Sequence, residues 1–322
     1  MSGTLMVSLD FELFWGMLDV CSLEDYQDNV LGGRQAIPGL LRLFREHGIH
    51  ATWAAVGFLF AENKAEARKY FPPEGPGYEN KSLTPYAWFD RIGDNEEEAP
   101  CFFAPSLLAM IRDTQGQEIG SHTFCHYSCR EAGQTPEQFR EDMQAALKIA
   151  EDHGYHLTSA VLPRNEAEPE YIQVLRELGF TAYRDEENDW IHRKLPNEKS
   201  LLRRILKLMD VYFPLTGNGA FTPRYENGVW NFIGSRQYKA IFPTLHFLEG
   251  LKIRRIKAQM LRAAKKDQVC HIWWHPHNVG VRTREHLDQL EEIFRYYDEL
   301  KEKYGMRSLN MGEASREFSR KL

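Results

Sequence analysis

Two pairs of residues have types and spacing suited to chemistry: His122 and His126 in the run HTFCH, and Asp10 and Glu12 in LDFEL. In an extended segment Asp10 and Glu12 point to the same side. Two carboxylates held there repel one another unless a cation or an arginine neutralises them. His122 and His126 are four apart and can meet on one face where the loop turns helical. Two imidazoles and one carboxylate form a facial set for a divalent ion, with positions left open for water and substrate. Neither pair is specific alone, because H-x-x-x-H and D-x-E are common by chance. Their place along the chain decides the matter.

Short apolar runs alternate with longer stretches of helical period. The pattern predicts strands at about residues 5–11, 49–56, 117–121, 157–162, 180–184, 269–275 and 306–310. Helices are expected at about 34–47, 105–112, 135–152, 169–178 and 283–303, several of them stopped by Gly48, Gly154, Gly179 and Gly305. Thr135, Pro136 and Gln138 spell a capping box. Seven such units imply a parallel α/β sheet rolled into a closed or nearly closed barrel, read as one domain over residues 1–322. Two insertions interrupt it, at about 61–104 (a surface excursion) and 191–268. The basic residues Arg203, Arg204, Lys207, Arg254, Arg255 and Lys257 are expected on solvated helix faces.

In a parallel barrel the C-terminal strand ends gather at one rim. Asp10 and Glu12 end the first strand, His122 and His126 follow the third, and Arg164 ends the fourth. Asp189 and Trp190 follow the fifth, and His275 ends the sixth. Five strand ends thus bring titratable or cationic groups to one place, and this convergence supports a metal site. Trp15, Trp190 and Trp230 lie in expected loops and are candidates to stack on a substrate ring, whereas Trp53, Trp273 and Trp274 lie in strands and are expected in the core.

These motifs resemble those of the polysaccharide deacetylases that share the NodB homology fold, a distorted (β/α)7 barrel, over most of the chain outside the two insertions. VSLDFE is similar to the first motif, EIGSHTFCH to the second, VLPRN to the third and HIWWHPHN to the last; REHGIHATWAAVG resembles the segment that links the first two. The resemblance implies a metal held by Glu12, His122 and His126, with Asp10 as general base, Arg164 orienting Asp10 and His275 as general acid. His277 is the second candidate in the last motif, and Asp189 with Trp190 approximates the fourth. Departures are plain: Phe11 separates the two acids, Glu12 stands where an Asp ligand is usual, and Arg164 lacks its usual aromatic-Gly neighbours. The implied cofactor is one divalent ion, Zn2+ first, with Co2+, Ni2+ or Fe2+ fitting the same donors. The implied partner is an acetylated saccharide, from which an acetyl group is removed. GVWNFIGS is similar to a segment of relatives acting on surface polysaccharides.

The 322 residues carry a net charge of -6 with 43% hydrophobic content, which gives no basic footprint for nucleic acid. No apolar run is long enough to span a bilayer. The first residues do not read as a secretory signal, and five irregularly spaced cysteines do not read as a disulfide framework, so a cytoplasmic setting is expected. Cys125 and Cys129 could contribute to a structural zinc site, although no further cysteine lies close by to complete it. Two other functions fit the same residues. One is hydrolysis of a non-sugar amide or cyclic ureide; the other is a barrel that binds glycan without catalysis.

Overall fold

The computed structural model describes residues 2–186, 190–191, 201–217 and 219–321. Its strands are β1 Thr4–Phe11, β2 Ala51–Ala55, β3 Gln117–Ser121, β4 Ser159–Val161, β5 Ala182–Arg184, β6 Arg224–Glu226, β7 Val229–Asn231, β8 Arg236–Gln237, β9 Val269–Trp274 and β10 Arg307–Ser308. The α-helices are α1 Leu23–His47, α2 Lys64–Arg68, α3 Pro105–Arg112, α4 Pro136–Asp152, α5 Pro169–Glu177, α6 Leu201–Tyr212, α7 Glu249–Lys266, α8 Thr283–Tyr304 and α9 Met311–Ser319. The strands form one sheet in the order β6-β7-β5-β4-β3-β2-β1-β9-β8, with β10 added to β1, and all neighbours except β6 and β7 run parallel. This is the barrel-like α/β architecture the alternating pattern implies.

The strand between residues 4 and 11 is buried along its whole length, which accounts for its near-continuous apolar sequence. Its alternate residues serve two cores. Leu5, Val7, Leu9 and Phe11 face the helices. Met6 joins Ala54, Val161, Ala182 and Phe232 on the inner side, and Met311, Ala314 and Phe318 of α9 pack against them. Further along the inner side of β1, polarity rises to Ser8 and then Asp10. The inner face is therefore apolar at one end and ionised at the other.

The insertions differ from expectation. The segment at 191–268 supplies β6, β7 and β8. Its stretch 229–237 bonds first to β5, through Phe232 N to Tyr183 O and Gly234 N to Asp185 O, and then to β9. One piece of chain thus touches both flanks of the parallel sheet. Arg255 is not solvated: it is buried and donates to both oxygens of Asp210 at 2.8 and 2.9 Å. The segment at 61–104 is not a surface excursion either. Its Phe89, Phe102 and Phe103 are buried with Phe58 and Trp15. The polar and Pro-Gly text of that segment hides these anchors, which lie at no regular period.

The first helix begins eleven residues before the expected start at 34, capped by Ser22, whose Oγ accepts from Asp25 N. The added part holds Gly32 and Gly33, and glycine inside a helix weakens it. The structure shows their use: a Cβ on Gly32 would lie 2.1 Å from Gly280 O, and one on Gly33 would lie 2.8 Å from His277 Cα. The helix and the backbone after β9 therefore approach more closely than any other residue permits. Among the described residues no helix is long and apolar enough to cross a membrane.

Trp15 is 1% exposed, stacks on Phe89 and donates its indole N–H to Phe102 O at 2.8 Å. It is a core residue and offers no face to a sugar. Trp15→Ala is expected to lower stability by roughly 3–5 kcal/mol, the usual cost of truncating a buried aromatic. Urea unfolding checks this; an unchanged midpoint would show that the ring is not part of the core.

Candidate metal and catalytic site

The polar end of the inner face carries the site. Asp10 leaves β1 pointing inward, as does Arg184 at the end of β5. The two form a bidentate pair, with Nη1 to Oδ1 at 2.6 Å and Nη2 to Oδ2 at 2.7 Å. Nη1 also donates to Ser8 Oγ at 3.0 Å, and Nε and Nη2 donate to Asn165 Oδ1 at 3.1 and 2.9 Å. Trp273 covers the guanidinium at 4.2 Å. Arg184 is fully buried with its donors used, which is how a buried cation becomes tolerable. Burial acts to raise the Asp10 carboxyl, but Arg184 foremost, then His275, hold it below its ordinary value. Asp10 stays ionised.

Arg164 was expected in that orienting role and is elsewhere. It sits in a turn with φ 56° and pairs with Asp19 and with Glu131 at 3.1 Å, its side chain 37% exposed. The turn aims the next residue inward instead: Asn165 is buried and receives Arg184. An available signal was the oddity of Arg184 itself, a cation in the buried run Ala182–Arg184, which demands a carboxylate partner.

His122 and His126 lie just after β3. His122 Nδ1 faces the carbonyl oxygen of Val161 at 2.8 Å, which makes Nδ1 the protonated nitrogen and leaves Nε2 as a lone-pair donor. That Nε2 is 3.2 Å from Glu12 Oε2, and His126 Nε2 is 3.1 Å from the same oxygen. The three donor atoms of Glu12, His122 and His126 lie within 4.8 Å of one another. A neutral imidazole lone pair facing a carboxylate oxygen is unfavourable unless a proton or a cation stands between them, so this donor set fits a divalent ion. Burial raises the Glu12 carboxyl, yet His275, His122 and His126 together pull it well below the usual range; burial also pushes the His126 imidazolium down. Gly16 lies directly against Glu12, where a Cβ would come within 2.1 Å of the carboxylate carbon.

The histidine loop is tied from behind. Thr123 and His126 have positive φ (63° and 60°), and buried Asp142 of α4 accepts from Phe124 N at 2.7 Å and Cys125 N at 3.2 Å. The capping box at Thr135 starts α4 so that Asp142 faces the loop, with both of its reciprocal bonds present. Cys125 and Cys129 are buried free thiols, and among the described residues the only metal-competent group is the Glu12–His122–His126 set.

His275 follows β9. Its Nε2 is 3.6 Å from both Asp10 Oδ2 and Glu12 Oε1, and the side chain is 21% exposed, so it stands between the two carboxylates and solvent. His277 lies under it, with rings stacked at 4.9 Å, and burial foremost pushes its pKa to about 3. A buried, neutral His277 supports His275 from below and is not placed to meet a substrate. Trp190 is 65% exposed, Asp189 lies outside the described residues, and Trp230 packs on Phe318 in the inner core. Trp273 was missed as a site residue: alternation along β9 places it inward, between His271 and His275.

The polysaccharide deacetylase family model matches residues 25–183, a stretch that holds His122, His126 and Asn165 and leaves out Asp10, Glu12, Arg184 and His275. That matched stretch belongs to the polysaccharide deacetylase family. Its fold is similar to that of a Mycobacterium smegmatis protein described as a polysaccharide deacetylase, with TM-score 0.61 and 13% identity over 100% of this chain and 93% of the other. A Pseudomonas aeruginosa protein of the same description gives TM-score 0.57 and 14% identity, over 98% and 91% of the two chains. The PuuE allantoinase gives 0.53 and 13%, over 97% and 89%. No curated protein matches the chain.

Arg184→Ala leaves Asp10 buried without its partner and is expected to lower stability by roughly 3–5 kcal/mol, against less than about 1 kcal/mol for the exposed Arg164→Ala. Equal effects in denaturant titrations would contradict the assignment. Asp142 gives a second test. Burial raises its pKa to about 6, above the value of an unfolded chain, so the folded state holds the proton more tightly. Its contribution to stability therefore falls as pH rises from about 4 to about 6. Asp142→Asn should remove that slope from unfolding midpoints measured at pH 4.5 and 7; a slope unchanged in the variant would assign it to other groups.

Proposed function

We propose that the protein is a metal-dependent hydrolase that removes an acetyl group from an acetylated saccharide. The observation that carries this reading is the convergence of Glu12, His122 and His126 on one point, beside an ionised Asp10 and a solvent-reaching His275. The family match supports the reaction class. A divalent ion held by those three residues, Zn2+ foremost, would polarise the acetyl carbonyl and lower the pKa of a water toward ~7.

The chain's own groups do the rest. His122 is fixed in one tautomer by Val161 O, so its Nε2 is always presented. Asp10 is the general base: Arg184 fixes its plane, and Oδ2 faces the open side where His275 Nε2 also lies. A proton taken there from water leaves an oxygen nucleophile for the acetyl carbon. His275 is the general acid and delivers a proton from Nε2 to the departing amine or alkoxide as acetate forms. Buried His277 keeps the His275 ring in place. Trp190, and Asp189 beside it, are kept as sugar-contacting candidates from the fifth strand end. The free state of all five thiols agrees with a cytoplasmic, reducing setting, which favours a saccharide precursor over a finished wall polymer.

Calorimetric titration of chelator-treated protein with Zn2+ should give one ion per chain. His126→Ala should abolish it with unfolding behaviour retained, while His275→Ala should keep the ion and lose acetate release by roughly 10²–10⁴-fold. Metal loss in His275→Ala would contradict its role as acid. Turnover of allantoin, the substrate for which one structural neighbour is named, with no acetate released from any acetylated saccharide, would replace the sugar reading by a C–N hydrolase of small ureides. Metal binding with no turnover of either would favour a glycan-binding barrel.

A further inference from the structure

Beside the catalytic groups lies a second cavity of about 500 Å³, between α6, the stretch 234–239 and Trp273. Its lining carries four cations, Arg204, Lys207, Arg236 and Lys239, against two carboxylates, Glu186 and Asp210. Asp210 is already committed, being held by Arg255 at 2.8 Å and bonded to Thr216. Arg236 is 7% exposed and reaches Asp210 only at 3.4 Å; Nε donates to Gln259, and Nη2 is buried with no hydrogen-bond partner among the described residues. Lys239 has no ion pair among the described residues, and burial, with Lys207 nearby, pushes its pKa down to about 8. A buried guanidinium nitrogen on Arg236 and a Lys239 ammonium without an ion pair among the described residues are unfavourable in the free protein, so these two groups suit an incoming anion.

Trp273 connects the cavity with the catalytic groups. It lines the cavity, covers Arg184 at 4.2 Å and has its ring 5.8 Å from that of His275. A group in the cavity and an acetyl group at His275 can therefore belong to one molecule. Resting on the deacetylase reading, we propose that this cavity is a subsite for a phosphoryl or diphosphate group attached to the saccharide. Arg236 and Lys239, two cations facing the cavity without a full anionic partner among the described residues, match a dianionic phosphoryl better than the single charge of a uronate.

The test separates the two readings by using a ligand that needs no turnover. Metal-free protein, in which a polyphosphate finds no ion to chelate, is titrated calorimetrically with inorganic pyrophosphate. Binding should be measurable in wild type and weakened at least tenfold in Lys239→Gln, with Lys257→Gln (a control outside the cavity lining, paired to Glu292) unchanged. In the holoenzyme, Lys239→Gln should lower kcat/KM tenfold or more for an N-acetylhexosamine diphosphate and leave that for an uncharged N-acetyl oligosaccharide unchanged. Absent pyrophosphate binding, or equal binding in Lys239→Gln, would overturn the subsite. Equal loss on both saccharides would also overturn it, because a merely structural lysine would act that way. Binding of phosphatidylglycerol vesicles without binding of pyrophosphate would replace it with a lipid-headgroup contact. Pyrophosphate binding lost in Lys239→Gln, with no acetate released from any saccharide, would keep the subsite and reject the deacetylase.

Discussion

The site depends on the buried pair between Asp10 and Arg184. A carboxylate on the inner face of the barrel cannot stay ionised without compensation, and Arg184 supplies it through two parallel bonds. The compensation then propagates. Arg184 must have its remaining N–H groups answered, so Ser8 and Asn165 are drawn in, and Ser8 in turn meets His271 Nε2 at 2.8 Å. His271 is kept neutral, its pKa lowered to about 3 by burial and by the Arg184 charge. One ion pair thus fixes the identities of residues on β1, β5 and β9 and on the turn after β4.

Much of this was legible in the sequence, and the limits are physical. Strand–helix alternation, the glycine stops and the capping box at Thr135 gave the α/β order, because each is a local signal. The two histidines and Glu12 stood out as candidates because strand ends of parallel sheets converge and the motif resemblance joined them, and the structure brings their donor atoms together. The arginine was misplaced because motif likeness pointed at residue 164, while side-chain direction depends on a turn whose φ is positive at both Arg164 and Asn165. Trp15 was misjudged because its partners Phe89 and Phe102 come from a segment whose prolines, glycines and acids read as surface. Strands β6 to β8 were missed because they lie among Gly217, Gly219, Pro223, Gly228, Gly234 and Pro243, a spacing of glycines and prolines that reads as loop.

Close backbone approach is the second constraint on the site. Gly16 lies against Glu12 on one side, and Gly57 lies on the histidine loop, where a Cβ would be 2.8 Å from Phe124 Cα. These glycines let loops from different strands come within contact of each other at the rim. Asp142 then answers the loop's own amides, since the positive φ values at Thr123 and His126 take the backbone out of regular hydrogen bonding. The geometry of the Glu12–His122–His126 donor set is therefore set by packing as much as by those three residues.

The place of β1 in the sheet has a consequence for how the molecule is made. It lies between β2 and β9, yet β9 begins at Val269. During synthesis β1, buried along its whole length in the fold, emerges well before its partner and keeps one hydrogen-bonding edge unmatched until more than 250 further residues have followed. The nascent chain carries a sticky edge throughout that interval, and Asp10 and His275 meet only after it. Such a topology ties successful maturation to protection of the first strand, and a chain released early would be prone to self-association before it could hold an active site.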